Sequence, residues 1–181
     1  LLDALNQPNP AVTKEVLEAT EYFAEELSNE RIRLIKHRNA TIDHARNEMS
    51  KELCGNSIGR IQVALHDFRD FGDELQELYD ALESHFHRLC EVAKQRMHNV
   101  GNSGDLEMMA LMLDDYRNLA PEQLGHAYHA LELSYTREAT HKKHELRELV
   151  AAEDIGFLRA RLMATPASNA YLEELSALES R

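Results

Sequence analysis

The chain has 181 residues, of which 32 are Asp or Glu and 20 are Lys or Arg, so its formal net charge is −12 at pH 7. An excess of negative charge repels phosphate backbones and anionic lipid, which argues against nucleic acid or a membrane as its partner. Hydrophobic residues make up 43% of the sequence, which is enough for the core of one folded domain.

The cysteine content and the lack of long apolar runs indicate where the protein works. Cys54 and Cys90 are the two cysteines, too few for a disulfide framework. No apolar run reaches the roughly 20 residues of a transmembrane helix, and no signal-peptide pattern opens the chain. We therefore expect a cytoplasmic protein. Because the chain begins at Leu1, inside an amphipathic pattern, we also expect it to be part of a larger protein.

Glycine and proline divide the sequence into predicted helices. Pro8 and Pro10 close a short N-terminal helix or linker over residues 1–10, and the next proline is Pro121. The turn at residues 54–57 separates two long predicted helices, over residues 11–53 and 58–99, and the glycine-rich stretch at 100–104 ends the second. Each of these helices would be on the order of 60 Å long.

The helix predicted over 58–99 carries the most regular apolar pattern of the chain. Its seam positions follow alternating spacings of four and three from Ile61 to Val100, and all are apolar except Gly72 and Arg96, which is typical of a coiled-coil seam. In the helix predicted over 11–53 the apolar residues are less regularly spaced. A turn near Gly55 would set residue i of the first helix opposite roughly residue 110 − i of the second, and that register matches basic blocks with acidic ones. The pattern predicts an antiparallel hairpin.

Shorter helices are predicted after the hairpin. Asp105 is a capping residue for an apolar helix over 105–118, and Pro121 begins a helix over 121–152. Short C-terminal helices over 153–181 are expected to pack on the long-helix bundle, which spans 11–152. The predicted fold class is therefore all-α, an elongated helical bundle built on a long antiparallel coiled-coil hairpin with shorter C-terminal helices.

Ten histidines invite a search for a metal site. In the predicted register His44 faces His66, and each has a carboxylate one helical turn later, at Glu48 and Asp70. Two imidazoles and two carboxylates on facing helices could bind Zn²⁺ or a similar ion. Solvated histidines explain the same spacing more simply, because such pairs arise by chance in a helix rich in Glu, and no cofactor is predicted.

Two short strings resemble phosphoacceptor motifs. Residues 60–67, Arg-Ile-Gln-Val-Ala-Leu-His-Asp, resemble the R-I-x-x-x-L-H-D box of one class of sensor histidine kinases, and His144-Glu145-Leu146-Arg147 resembles the start of the H-E-L-R box of another. The resemblance implies a dimerisation and phosphoacceptor hairpin of a signalling protein. The second string lacks the proline that follows that box in the family, and no glycine-rich nucleotide-binding segment follows either string.

We expect a non-enzymatic coiled-coil scaffold that mediates protein–protein interaction or dimerisation within a larger protein. The apolar stripes of the predicted helices differ in regularity, so some apolar surface would stay uncovered within one chain. A second copy of the chain would cover it, which predicts a homodimer. The cluster Met108, Met109 and Met112 could be an adaptable docking surface, although core filling explains it more simply. An alternative is a membrane-associated dimer similar to BAR domains, a resemblance of architecture alone. The predicted interface residues are Leu75, Tyr79, Leu82, Phe86, Met108, Met109 and Met112.

Overall fold

The computed structural model describes residues 9–25, 27–71, 73–151 and Ser176. These residues form six α-helices and two short 3-10 turns and contain no strand, so the all-α prediction is confirmed. The predicted segments over 1–8 and 153–181 lie outside the described residues, apart from Ser176. The α-helices are α1 (Pro10–Ala19), α2 (Ser28–Leu53), α3 (Ile58–Asp67), α4 (Gln76–Ser103), α5 (Leu106–Asp115) and α6 (Pro121–Ala151).

The chain divides into two compact units. Unit 1 is Leu1–Cys90 and unit 2 is Glu91–Arg181, so the boundary falls within α4. In unit 1 the buried apolar residues come from α2, α3, the 3-10 turn Asp73–Leu75 and the first half of α4, with Leu34, Met49, Ile61 and Leu82 among the most deeply buried. In unit 2 they come from the rest of α4 and from α5 and α6.

The helix predicted over 11–53 is divided in the structure. α1 ends at Ala19, and the 3-10 turn Glu21–Phe23 precedes α2. The Thr20 hydroxyl donates to the Val16 carbonyl at 2.7 Å, and the Arg31 guanidinium donates to the Leu17 carbonyl at 2.6 Å. These groups satisfy the carbonyls at the end of α1, which stabilises the break.

The helix predicted over 58–99 is also divided. α3 ends at Asp67, and α4 begins at Gln76 after the 3-10 turn Asp73–Leu75. The rings of Phe68 and Phe71 meet edge to face at 5.2 Å between centroids, and Phe71 is buried. The turn is tight, because the Phe71 amide donates to the Phe68 carbonyl at 3.3 Å, and the two rings pack together within it. The spacing of the seam continues through this turn in the sequence, with Gly72 as its non-apolar position there.

The pairing direction predicted near Gly55 is found between α2 and α3, but the long hairpin is not confirmed. Residues 44, 48 and 52 share a groove with residues 67, 63 and 59. Arg38 of α2 forms an ion pair with Glu74, close to the predicted register. His85 of α4 bonds the Gly55 carbonyl, whereas a continuous hairpin would place residue 85 far from that turn. The chain therefore reverses after α3, and α4 returns past the α2–α3 turn.

The helices α5 and α6 of unit 2 begin close to their predicted first residues. α5 begins with the Asp105 carboxylate accepting from the Met108 amide at 3.0 Å, and Pro121 is the first residue of α6. Gly104 has a φ of +73°, the left-handed conformation that favours glycine after a helix end. Of the three long helices that a BAR-like bundle requires, only the one predicted over 121–152 is present as a single helix among the described residues.

Candidate functional site

The four residues of the predicted metal site are not brought together. His44 and Glu48 line the groove between α2 and α3, but His66 and Asp70 do not. The His66 side chain is 88% exposed, and Asp70 lies beyond the end of α3. Within the residues that the structure describes, no three His, Cys, Asp or Glu side chains are grouped so that they could hold a metal ion.

A small error in the predicted pairing of α2 with α3 explains why these four residues do not meet. The prediction placed residue 66 opposite residue 44, whereas the groove contains Asp67 and not His66. One residue on an α-helix is a rotation of about 100°, so this small displacement moves His66 to another face of α3. α3 also ends before Asp70, which removes the i, i+4 relation on which the predicted pair depended.

The predicted interface residues fall into two groups. Leu75, Leu82, Phe86 and Met109 are buried within the chain and serve as core. Tyr79 and Met112 are half-buried, and Met108 is 46% exposed. The exposed or half-buried members that remain as candidates for binding another protein are therefore Tyr79 and the two methionines of α5.

α5 has an exposed apolar side, which we name the α5 face: Met108, Leu111 and Met112. These residues are spaced three and four apart, so they lie on one side of the helix. Leu111 is 57% exposed, although Leu106 and Met109 of the same helix are buried. Acidic side chains border the α5 face at Glu107, Asp114 and Asp115, of which Asp114 forms an ion pair with Arg117 at 3.4 Å. The α5 face combines apolar contact area with negative charge.

α2 has an exposed side of the opposite charge, which we name the α2 face: Ile32, Arg33, Ile35 and Lys36. Ile32 is 50% exposed and Ile35 is 44% exposed, and both basic residues beside them are exposed. Lys36 follows Arg33 by three residues, which keeps both charges close to the two isoleucines on the helix surface. None of Leu111, Ile32 and Ile35 was predicted as an interface residue. The two isoleucines stand among polar residues of α2, which was a usable signal, whereas Leu111 stands in a nearly all-apolar segment that gave none.

A groove of about 740 Å³ lies between α4 and α6 within unit 2. Its buried floor contains Met97 and Leu131, and Lys94 and His98 lie on its α4 side. Lys94 donates to Glu91 at 2.5 Å, and Asn102 bonds His98 at 3.0 Å. The two groups on the α4 side therefore already have partners on their own helix, and the groove presents no nucleophile hydrogen-bonded to a base among the described residues.

A second groove, of about 450 Å³, lies between α2 and α3 within unit 1. Glu48 and Glu52 line it from α2, and Val63, Asp67 and Phe68 line it from the side of α3. Glu52 is only 9% exposed, although it is a carboxylate. Sequence analysis did not identify Glu52. Its position three residues after buried Met49, on the apolar side of α2, was the signal that could have found it.

A buried histidine joins α4 to the α2–α3 turn. His85 is buried, its Nε2 lies 2.8 Å from the Gly55 carbonyl, and its Nδ1 lies 2.8 Å from Nη2 of Arg88. A carbonyl only accepts and a guanidinium only donates, so Nε2 carries the proton and Nδ1 accepts. Both ring nitrogens are satisfied, which makes His85 a structural clamp.

The two histidines of the phosphoacceptor-like strings differ in geometry. Nδ1 of His66 lies 3.3 Å from the Asp67 carboxylate, and the high exposure of the side chain leaves Nε2 accessible to solvent. In His144 it is Nε2 that lies 3.2 Å from the Glu148 carboxylate. A phosphoryl group could reach Nε2 of His66 directly, whereas the corresponding nitrogen of His144 is engaged.

Comparison of the chain with protein-family models, with curated proteins and with solved structures finds no significant match. Over the described residues, no helix combines the length and the apolarity that crossing a bilayer requires. Function must therefore be inferred from the surfaces, charges and contacts described above.

Proposed function

We propose that this chain is a non-enzymatic helical scaffold that binds a protein partner through the α5 face. The observation that carries the proposal is the exposure of Met108 and Leu111 on a short helix whose other side is already packed in the core. Exposed apolar side chains grouped on one helix side are typical of protein interfaces. Methionine adapts its shape to a partner, which suits such a surface.

The charge of the α5 face indicates what the partner must offer. Glu107, Asp114 and Asp115 favour a basic partner surface, and Met108 and Leu111 favour an apolar one. A helix with both features is therefore the expected ligand, in the manner of an amphipathic helix bound by a complementary face. The chain itself carries such a helix, because the α2 face combines two exposed isoleucines with two basic side chains.

The proposed partner is therefore a second copy of the chain. Each copy has one α5 face and one α2 face, so the α5 face of one copy can bind the α2 face of the other. In this proposal two such contacts close the dimer, which is the commonest form of soluble oligomer. Opposite charges at these contacts would steer the association and disfavour alternative pairings. The helix pair formed by α2 and α3 is what remains of the predicted antiparallel hairpin, and in this proposal it presents the α2 face to the partner copy.

Sedimentation equilibrium tests the dimer. We expect the wild-type chain to have twice the mass of 20.7 kDa, and Leu111→Asp to shift the equilibrium to the monomer. Leu133→Asp is the matched control, because Leu133 is also 57% exposed but lies on α6, outside the α5 face. The charge-reversal variant Arg33→Glu/Lys36→Glu should weaken the dimer, and adding Asp114→Lys/Asp115→Lys should restore it.

A wild-type mass of 20.7 kDa at every concentration would contradict the homodimer. Equal effects of the Leu111 and Leu133 variants would show that the α5 face is not the contact. A salt titration separates the two contributions, because screening weakens exposed charge pairs and leaves apolar contact largely intact.

A phosphoacceptor role for His66 is the second candidate, and the accessible Nε2 of that histidine is the observation that favours it. The test is incubation with phosphoramidate, which transfers its phosphoryl group to a histidine nitrogen with release of ammonia. We expect an acid-labile mass increase that His66→Gln abolishes and His87→Gln, an exposed histidine on α4, does not. Labelling that is equal in both variants would argue against this role.

A further inference from the structure

The groove between α2 and α3 contains a carboxylate, Glu52, that has no partner among the described residues. Glu52 is almost fully buried, and within the described part of the chain its side chain makes no hydrogen bond or ion pair. Its Oε2 lies 3.5 Å from the point that a Cβ atom on Gly55 would occupy, which places it at the turn end of the groove. The carboxylate oxygens of Glu52 are not among the fully buried, unpartnered polar atoms of the described residues, so they remain open to the groove and to a ligand that enters it.

The surroundings of Glu52 add negative charge to the same groove. Glu48 and Asp67 also line it, further from the Gly55 turn. Glu48 has Lys51 at 3.6 Å and Asp67 has His66 at 3.3 Å, so both are partly compensated. Arg60 is exposed at the edge of the groove and makes no ion pair there among the residues described. The groove is therefore suited to a cation from outside the chain.

The walls of the groove indicate which kind of cation fits. Val63 is exposed and Phe68 is half-buried, so apolar surface lies beside the three carboxylates. A metal ion finds no group of three ligating side chains among the described residues. The side chain of arginine matches both the apolar walls and the carboxylates of the groove. Its aliphatic stem packs on apolar side chains, and its planar guanidinium carries the positive charge and can stack on a ring. Guanidinium is also more weakly hydrated than ammonium, which suits a buried carboxylate.

We propose that the α2–α3 groove binds an arginine side chain of a partner protein, with its guanidinium on Glu52. The stem lies along Val63 and Phe68, and Glu48 and Asp67 supply further negative charge. This site is in unit 1 and separate from the α5 face, so it does not depend on the proposed dimer. It gives the chain a second, charge-selective contact for a partner.

The test uses the full ¹⁵N-labelled chain and a short alanine-based peptide with one central arginine. Gly59 lines the groove and Gly55 lies beside Glu52, so their amide signals should shift in a saturable way. The same peptide with neutral citrulline should cause no shift. Glu52→Gln should weaken binding at least about tenfold, because it removes the charge and keeps the shape. Asp43→Asn is the matched control, since Asp43 is exposed on α2 outside the groove and should leave binding unchanged.

Three results would overturn the proposal. Equal shifts with the citrulline peptide would show that charge is not recognised, and equal affinities of the Glu52→Gln and Asp43→Asn variants would show that Glu52 is not the contact. Saturation by free spermidine with no response to the peptide would assign the groove to a small polyamine instead. If Glu52→Gln loses its native spectrum, Asp67→Asn, an exposed member of the groove, carries the same test with an expected loss of about threefold.

Discussion

In the described part of unit 1, polar side chains join separate elements in addition to the apolar core, whereas in unit 2 the described contacts between helices are apolar. Arg31 binds the end of α1, Arg38 pairs with Glu74, and His85 bonds the Gly55 carbonyl. In unit 2 the deeply buried residues include Met97, Met109, Leu124 and Leu131, from three successive helices. Unit 1 has an apolar core as well, with Leu34 and Ile61 fully buried, so its polar contacts add to apolar packing and fix how the separate elements join.

The greatest predicted loss of stability tests the apolar side of this comparison. Leu131→Ala should lower the free energy of unfolding by about 2–5 kcal/mol, because Leu131 is buried and its truncation leaves a cavity. Leu133→Ala changes the same residue type two positions away, at an exposed site, and should cost less than about 0.5 kcal/mol. Urea denaturation measures both. Similar losses would mean that unit 2 is not held by its apolar core.

A somewhat smaller loss is expected at the polar clamp of unit 1. His85→Ala should lower the free energy of unfolding by about 2 kcal/mol, because the Gly55 carbonyl and the Arg88 guanidinium lose their partner. His87→Ala is the control, since His87 is exposed on the same helix, and should cost less than about 0.5 kcal/mol. The clamp would be unimportant if thermal unfolding showed no difference between the two variants.

The ion pair between α2 and the turn before α4 should contribute least. A double-mutant cycle with Arg38→Met and Glu74→Gln should give a coupling of about 1 kcal/mol, because the side chains are only 19% and 33% exposed. The pair Arg46–Asp43, which lies within α2 and is more than half exposed at both residues, should couple by about 0.3 kcal/mol. If the two pairs gave equal coupling energies, the Arg38–Glu74 pair would be an ordinary surface ion pair and would not distinguish unit 1.

The predicted interface residues were only partly separable from core residues in the sequence. The methionine-rich α5 was recognised as a possible binding surface, and Met108 is indeed exposed. Leu75, Leu82 and Phe86 were assigned to the same role but are buried. An apolar residue at a seam position has the same sequence pattern whether the neighbour is its own chain or a partner, so periodicity alone could not separate these cases.

Local chemistry, readable in the sequence, accounts for the helical class, the turn at residues 54–57, the Asp105 cap and the start of α6 at Pro121. The Ser57 and Asp105 side chains accept from amides of their own first turns, and Pro121 lacks an amide that a helix start would leave unpaired. Such contacts span three residues or fewer, so they do not depend on how the helices later pack.

Long-range packing accounts for the reversal between Phe68 and Gln76, the position of His66 away from the groove, and the burial of Glu52. A regular apolar spacing in the sequence is compatible both with one straight helix and with two helices that fold back on each other. The bond from His85 to the Gly55 carbonyl distinguishes the two, because a straight helix would place residue 85 far from that turn.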